Sequence, residues 1–300
     1  MGSVNEREDF KSTKEASNLI SSPATAPAAE EDLVIDMSGV SVVRDGKTIL
    51  APMNWRVELD ERWIIIGPNG AGKTTLMRLA AAQMFPTTGT VTLVGETMGT
   101  VDLREIRTSI GMSSSAMAHR IPGDEKVADI VISAGYDVMG RWREEYDHQD
   151  HERAIDILES VGAYHLADQT WGTLSEGERK RTMIARALMT DPEILLLDEP
   201  GAGLDLGGRE DLIALLSELA SDPDSPAIVM ITHHVEEIPP GFTHGLLLDE
   251  GEVVAQGMLE DIMTGENLTK TFHQPINLTQ MDGRWFARRV RRGGSHRSRG

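Results

Sequence analysis

Eight consecutive residues, Gly67-Pro68-Asn69-Gly70-Ala71-Gly72-Lys73-Thr74, follow the pattern G-x-x-x-x-G-K-T, and Thr75 comes directly after. Glycines at these positions let the backbone curl until successive N–H groups face one centre, an arrangement that cradles a β-phosphate. Lys73 then reaches the β and γ oxygens, and the Thr74 hydroxyl is placed to meet Mg²⁺. The chemistry implied is the binding of a nucleoside triphosphate, ATP, together with Mg²⁺.

A second constellation is Ile194-Leu195-Leu196-Leu197-Asp198-Glu199-Pro200. Four apolar residues make a buried strand, and two carboxylates follow at its C-terminal edge, where doubly wound sheets bind ligands. Asp198 would hold Mg²⁺, directly or through water, and Glu199 would act as general base toward an attacking water. An acidic pair at a strand end can equally be a solvated turn; the eight-residue loop is what weights it toward catalysis. A third segment, Leu174-Ser175-Glu176-Gly177-Glu178-Arg179-Lys180-Arg181, reads as the start of a helix. Ser175 as N-cap and Glu178 three residues later form a capping box. The box does not account for Gly177, which lets a partner come close to exposed N–H groups and a positive dipole end suited to a γ-phosphate.

These groups need elements to hold them. Trp63–Gly67 is a continuous apolar run, as in a strand covered on both faces, and the amphipathic Thr74–Met84 stretch follows the loop, so strand, loop and helix come in the order the phosphate cradle requires. Before it, LVIDM, VSVV and WRVEL alternate as antiparallel strands do. After it, residues about 116 to 172 carry helical spacing, then helix, strand, helix and strand alternate through Ile231-Thr232-His233-His234. The fold class expected is α/β: a P-loop NTPase with a mixed, mostly parallel sheet core, N-terminal antiparallel strands and an inserted helical lobe. Residues 1–32 are expected to be a disordered leader, 33–283 the folded domain, and 284–300 a basic disordered tail with seven Arg.

The 300 residues carry 29 Lys and Arg against 48 Asp and Glu, a net charge of −19, so nucleic acid is an unlikely partner and the phosphate site must supply its own positive charge. With no cysteine, disulfides, thiolate metal sites and cysteine nucleophiles are excluded. No stretch approaches the ~20 apolar residues that span a bilayer, and a cytoplasmic location is expected.

The phosphate loop, LSEGE about a hundred residues on, LLLDEP soon after and a strand ending in Thr-His together resemble the ATP-binding cassette family over about residues 33 to 272. LSEGE is similar to the family signature LSGGQ, with Glu176 and Glu178 in place of Gly and Gln. The resemblance implies an Mg²⁺-dependent ATPase acting as a head-to-tail dimer. In it, Ser175 and Gly177 face the other copy's ATP and Asp205, in Gly201-Ala202-Gly203-Leu204-Asp205, crosses the interface. His233 is implied as the switch histidine, with His234 competing for the role. The absence of a fused membrane span suits an importer-type single cassette, loosely like molybdate-type importer ATPases, which drives a separate membrane permease subunit from the inner face of the membrane. A soluble ATP-driven switch or a weakly active nucleotide-binding regulator are the alternatives.

Two positions depart from the family. Where an aromatic residue would stack on adenine, the chain has Arg44, either a stacking guanidinium or a surface residue. Where a Gln would follow the strand RTSIGM, it has Ser113-Ser114-Ser115, expected to handicap the organisation of Mg²⁺ and the attacking water.

Overall fold

The computed structural model describes residues 32–136 and 146–290. The leader up to residue 31 and the tail from residue 291 lie outside the described residues.

The chain opens with β1 (Leu33–Arg44) and β2 (Lys47–Glu58), joined by an Asp45-Gly46 turn in which both residues have positive φ. Along β2, Met53, Trp55 and Val57 turn inward at every second position, the period a half-buried strand demands. There follow β3 (Arg62–Ile66), α1 (Lys73–Ala80), β4 (Thr88–Leu93), β5 (Glu96–Thr97), α2 (Leu103–Thr108) and β6 (Ile110–Ser114). The helical lobe contains α3 (Ser115–Ala118), α4 (Val127–Ile132) and α5 (His148–Ser160), and leads into α6 (Glu176–Leu188). Then come β7 (Ile194–Asp198), α7 (Leu206–Ser221), β8 (Ala227–Thr232), β9 (His244–Asp249), β10 (Glu252–Met258), α8 (Leu259–Ile262), α9 (Gly265–Phe272), β11 (Ile276–Met281) and β12 (Arg284–Arg289).

One antiparallel sheet has the order β2-β1-β4-β5, and a six-stranded sheet has the order β10-β9-β3-β8-β7-β6, parallel except for β10 at its edge. The parallel strands are buried on both faces, which is why β3, β7 and β8 are built around apolar runs. Ile64, Ile66, Leu195 and Leu197 point into a core shared with α6, α7 and the helical lobe. Their neighbours Trp63, Ile65, Ile194 and Leu196 point the other way, into a core closed by α1 and the antiparallel sheet. The lobe residues Val127, Ile130, Leu158 and Trp171 belong to the first of these cores, so the lobe packs as an extension of the sheet's own interior. No helix of the described residues is long and apolar enough to cross a membrane.

The expected boundary at residue 283 needs correction. Arg284–Arg289 form β12, paired with β11 in a hairpin whose Asp282-Gly283 turn has φ of 49° and 74°. An Asp-Gly pair between two runs is a hairpin signal; the arginine content hid it. Trp285 is 8% exposed and joins the main core. Arg284 anchors the strand by donating to Glu210 Oε2 at 2.8 Å on α7 and to the Glu236 carbonyl at 2.7 Å. Replacing Trp285 with alanine should therefore cost about 3 kcal/mol, the scale of a buried aromatic truncation. A denaturant midpoint unchanged from the parent protein would show that the hairpin is not part of the cooperative fold.

Candidate nucleotide-binding and hydrolytic site

Register in the parallel sheet decides which loops meet. Ile66 pairs with Thr232, and Ser114 pairs with Asp198, which pairs in turn with Ile231. The glycine-rich loop after β3, the histidines after β8, the carboxylates ending β7 and the serines ending β6 therefore stand side by side along one C-terminal edge. This is the crevice where open α/β sheets take ligands.

Close packing shapes the loop. A Cβ on Gly67 would lie 2.1 Å from the Leu248 carbonyl oxygen of β9. Gly72, at φ 100°, caps α1, and a Cβ there would lie 2.7 Å from Leu50 Cδ2. Both positions need glycine for space, and Gly72 also for its backbone conformation. Lys73, 5% exposed, donates to the carbonyls of Gly67 at 2.7 Å and Pro68 at 3.0 Å, so the ammonium lies folded over the loop. Burial lowers its pKa, while Glu199 and then Asp198 act in the opposite direction. Thr74 is exposed and Thr75 partly so, at the start of α1. Arg44 sits at the exposed tip of the β1–β2 hairpin, its guanidinium with no hydrogen-bond or ion-pair partner among the described residues. The same hairpin presses Ile49 and Leu50 against Gly72.

Burial raises the Asp198 pKa, and Glu199 adds to the rise; Lys73 and then Lys180 act against it. The ionised carboxylate is thus disfavoured first by burial and then by Glu199, and a cation beside it would offset both. Glu199 adopts φ 50°, a left-handed conformation uncommon for a glutamate, and its N–H donates to the Ile231 carbonyl at 3.1 Å. Such local strain is held by surrounding structure and concentrates at functional sites. His233 Nδ1 lies 3.4 Å from Glu199 Oε1, close enough to pair as ions but without hydrogen-bond alignment, and has no other partner among the described residues. The His234 ring lies 4.1 Å from that of His233, centroid to centroid, so of the two histidines it is His233 that meets the carboxylate.

Two residues join this site that sequence reasoning passed over. Glu237, 5% exposed, accepts a hydrogen bond from Thr232 Oγ1 and lies under Gly201, where a Cβ would come within 2.8 Å of its Oε1. It braces the start of the histidine segment against the loop after Glu199. Lys180 reaches the Ser115 hydroxyl at 3.3 Å. Its signal was legible: a lysine three, four and seven residues before Met183, Ile184 and Ala187 falls on the apolar stripe of α6. As for the serine run, Ser114 caps α3 by accepting from the Met117 N–H at 3.3 Å, and Ser113 and Ser114 are buried.

The capping box at α6 is present. Ser175 donates to Glu178 Oε2 from both its N–H and its hydroxyl at 2.7 Å, and this holds the Glu178 carboxyl below its ordinary pKa. Ser175, Gly177, Gly203, Leu204 and Asp205 line one cleft of about 360 Å³. Asp205 caps α7 by accepting from the Gly208 N–H at 2.8 Å. Among the described residues, no hydrogen bond or ion pair links Ser175–Glu178 to the glycine-rich loop. The cleft that holds Ser175 and Gly177 is lined by no residue of the glycine-rich loop.

Known proteins resemble this chain over most of its length. The family model described as ABC transporter matches residues 50–202. An ABC transporter ATP-binding protein of Bacillus subtilis, YlmA, is 38% identical over 86% of this chain and 98% of its own. The ferric enterobactin transport ATP-binding protein FepC of Escherichia coli is 36% identical over 69% of this chain and 75% of its own. Among solved structures, cbiO1 of Clostridium perfringens, part of the ABC transporter complex cbiONQ, gives a TM-score of 0.69 at 25% identity, covering 80% of this chain and 94% of that one.

Gly67→Ala should force the loop and β9 apart, because the atom met is backbone and cannot rotate away. A loss of about 2 kcal/mol or more is expected from overpacking of this kind, read by chemical denaturation. A variant as stable as the parent would mean that the close approach of loop and strand is unimportant.

Proposed function

Since the chain belongs to the ABC transporter family, in which it is an ATP-hydrolysing cassette that energises transport through a membrane subunit, we propose that two copies close head to tail over two ATP molecules and use the residues of the sheet edge for hydrolysis. Each glycine-rich loop, residues 67–74, faces the other copy's Ser175 and Gly177. That the cleft beside Ser175 and Gly177 is lined by no residue of this chain's own loop supports this.

The observation that carries the hydrolytic reading is the assembly of Lys73, Asp198, Glu199 and His233 along one edge, with His233 Nδ1 at 3.4 Å from Glu199 Oε1. Loop N–H groups and the Lys73 ammonium neutralise the β and γ oxygens. Glu199 orients a water and takes its proton as the water oxygen bonds to the γ-phosphorus and the bond to the β,γ-bridging oxygen breaks, leaving ADP and phosphate. His233 donates to the γ-phosphate oxygens from beside that carboxylate. The Thr74 hydroxyl and the charge-crowded Asp198 fit Mg²⁺, a hard cation that takes oxygen ligands and shares its shell with phosphate and water. When bound, Mg²⁺ supplies positive charge against the charge developing on the phosphates. Among the described residues no cluster of three or more His, Asp or Glu makes a protein-only metal cage, which a phosphate-sharing Mg²⁺ does not require. Asp205, at the cleft beside the signature, is assigned to the contact between copies, and Arg44, at the hairpin tip, to the base of ATP.

The membrane partner docks on the cytoplasmic side. Relatives at 38% and 36% identity that are ATP-binding proteins of transporters favour this over a free-standing switch.

Lys73→Ala should weaken ATP binding by about a hundredfold, the scale of a lost charge-assisted contact of about 3 kcal/mol. Glu199→Gln should keep ATP binding and lose turnover by at least about a hundredfold, accumulating as an ATP-bound dimer on size exclusion. Parent-level turnover in Glu199→Gln would assign the base elsewhere, and undiminished affinity in Lys73→Ala would refute the phosphate cradle.

A further inference from the structure

Lys180 is an ammonium on the inward face of a helix. It stands one turn beyond the capping box, is 7% exposed, and shares its stripe of α6 with Ile184 and Ala187. A lysine near a surface normally extends its head to water. This one turns inward. Its Nζ donates to Ser115 Oγ at 3.3 Å on α3 and lies 3.9 Å from Glu176 Oε1 on its own helix. The charged groups around it come from four elements: Glu176 from α6, Asp198 and Glu199 from the end of β7, and Glu237 from the turn after β8, with Lys73 of α1 facing the same carboxylates. Burial lowers the Lys180 pKa, and the four carboxylates oppose that shift, Glu176 most.

The partner is placed as informatively as the lysine. Ser115 directly follows Ser114, the residue that pairs with Asp198 across β6 and β7. A path of two contacts thus runs from the first turn of α6, whose end presents Ser175 and Gly177, through Lys180 to the segment abutting Asp198. A buried ammonium carries a large desolvation cost, which fixed opposite charges and a hydrogen-bond acceptor offset.

We propose that Lys180 is a positioning residue for ATP hydrolysis, tying the signature helix to the loop after β6 through Ser115 and setting positive charge beside the Asp198–Glu199 carboxylates. This rests on the hydrolase reading above. The serine run is then no handicapped stretch: its backbone is fixed by the Ser114 cap and its last hydroxyl by a cation from the helix that meets the other copy's phosphate. When that helix shifts on closure, the strand edge beside the carboxylates shifts with it.

The test is steady-state ATPase of the full chain at saturating Mg·ATP, with KM and ATP affinity measured alongside, for the parent, Lys180→Gln, Lys180→Arg, Ser115→Ala and the Lys180→Gln/Ser115→Ala pair. Lys180→Gln should lower kcat about tenfold while KM stays within about twofold, since Lys180 acts through Ser115 and the carboxylates and not on ATP itself. Lys180→Arg should recover most of the rate, because it keeps the charge and a donor. Ser115→Ala should lower kcat in the same direction, and the double variant should be no slower than Lys180→Gln, as expected of two residues acting in one path. Parent-level kcat in Lys180→Gln overturns the proposal. So does an equal loss of ATP binding and turnover in both Lys180 variants, which would mark a purely structural lysine. A parent protein that binds ATP without turning it over would instead sink the hydrolase reading on which the proposal stands.

Discussion

The site depends on the parallel register of five strands buried on both faces. Because β9, β3, β8, β7 and β6 are covered on each side, sliding any one by a residue would turn its inward side chains to the wrong core. Apolar packing along Ile64–Ile66, Leu195–Leu197 and Ile228–Ile231 therefore fixes where the strands end. The phosphate loop, the carboxylates, the serines and the histidines inherit their positions from those ends. None of the polar groups needs to attract the others into place, which matters because two of them are carboxylates that repel.

Charge is the second organising term. In a chain of net charge −19, the edge gathers Asp198 and Glu199 and sets against them two buried lysines from opposite sides, Lys73 from α1 and Lys180 from α6. The lysines contribute different things: one folds onto the loop carbonyls where phosphate binds, and the other is tied to a hydroxyl on the neighbouring segment. Glu237 adds a brace underneath, locking Thr232 to the loop that follows Glu199. The phosphate-binding surface and the signature helix thus each place a lysine within electrostatic reach of the same carboxylates.

Much of this was legible in the residues. The strands are short apolar runs whose burial follows from composition, and the phosphate loop, the Asp198–Glu199 pair and the Ser175–Glu178 capping box depend on local spacing, which a sequence displays directly. What stayed hidden depends on contacts between distant segments. The burial of Lys180 could be read from the apolar stripe of α6, but its partner Ser115 could not, because it lies 65 positions earlier. Glu237 looked like half of an acidic pair with Glu236, yet one carboxylate is buried beneath Gly201 while the other caps the terminal hairpin through the Ala287 N–H. Arginine-rich composition argued for a disordered end, and Trp285 reaching the core outweighed it for the first six residues.

The central claim is that the phosphate loop of one copy meets the signature helix of another. The chain has no cysteine, so single thiols can be introduced without a background. Asn69 and Glu176 are exposed positions on the two surfaces. One population carrying Asn69→Cys would be mixed with another carrying Glu176→Cys, both with Glu199→Gln to retain ATP, and treated with a short thiol cross-linker. The account predicts a cross-linked dimer joining position 69 to position 176, formed with ATP and not without it. Cross-links only between like positions, or a yield indifferent to ATP, would contradict it.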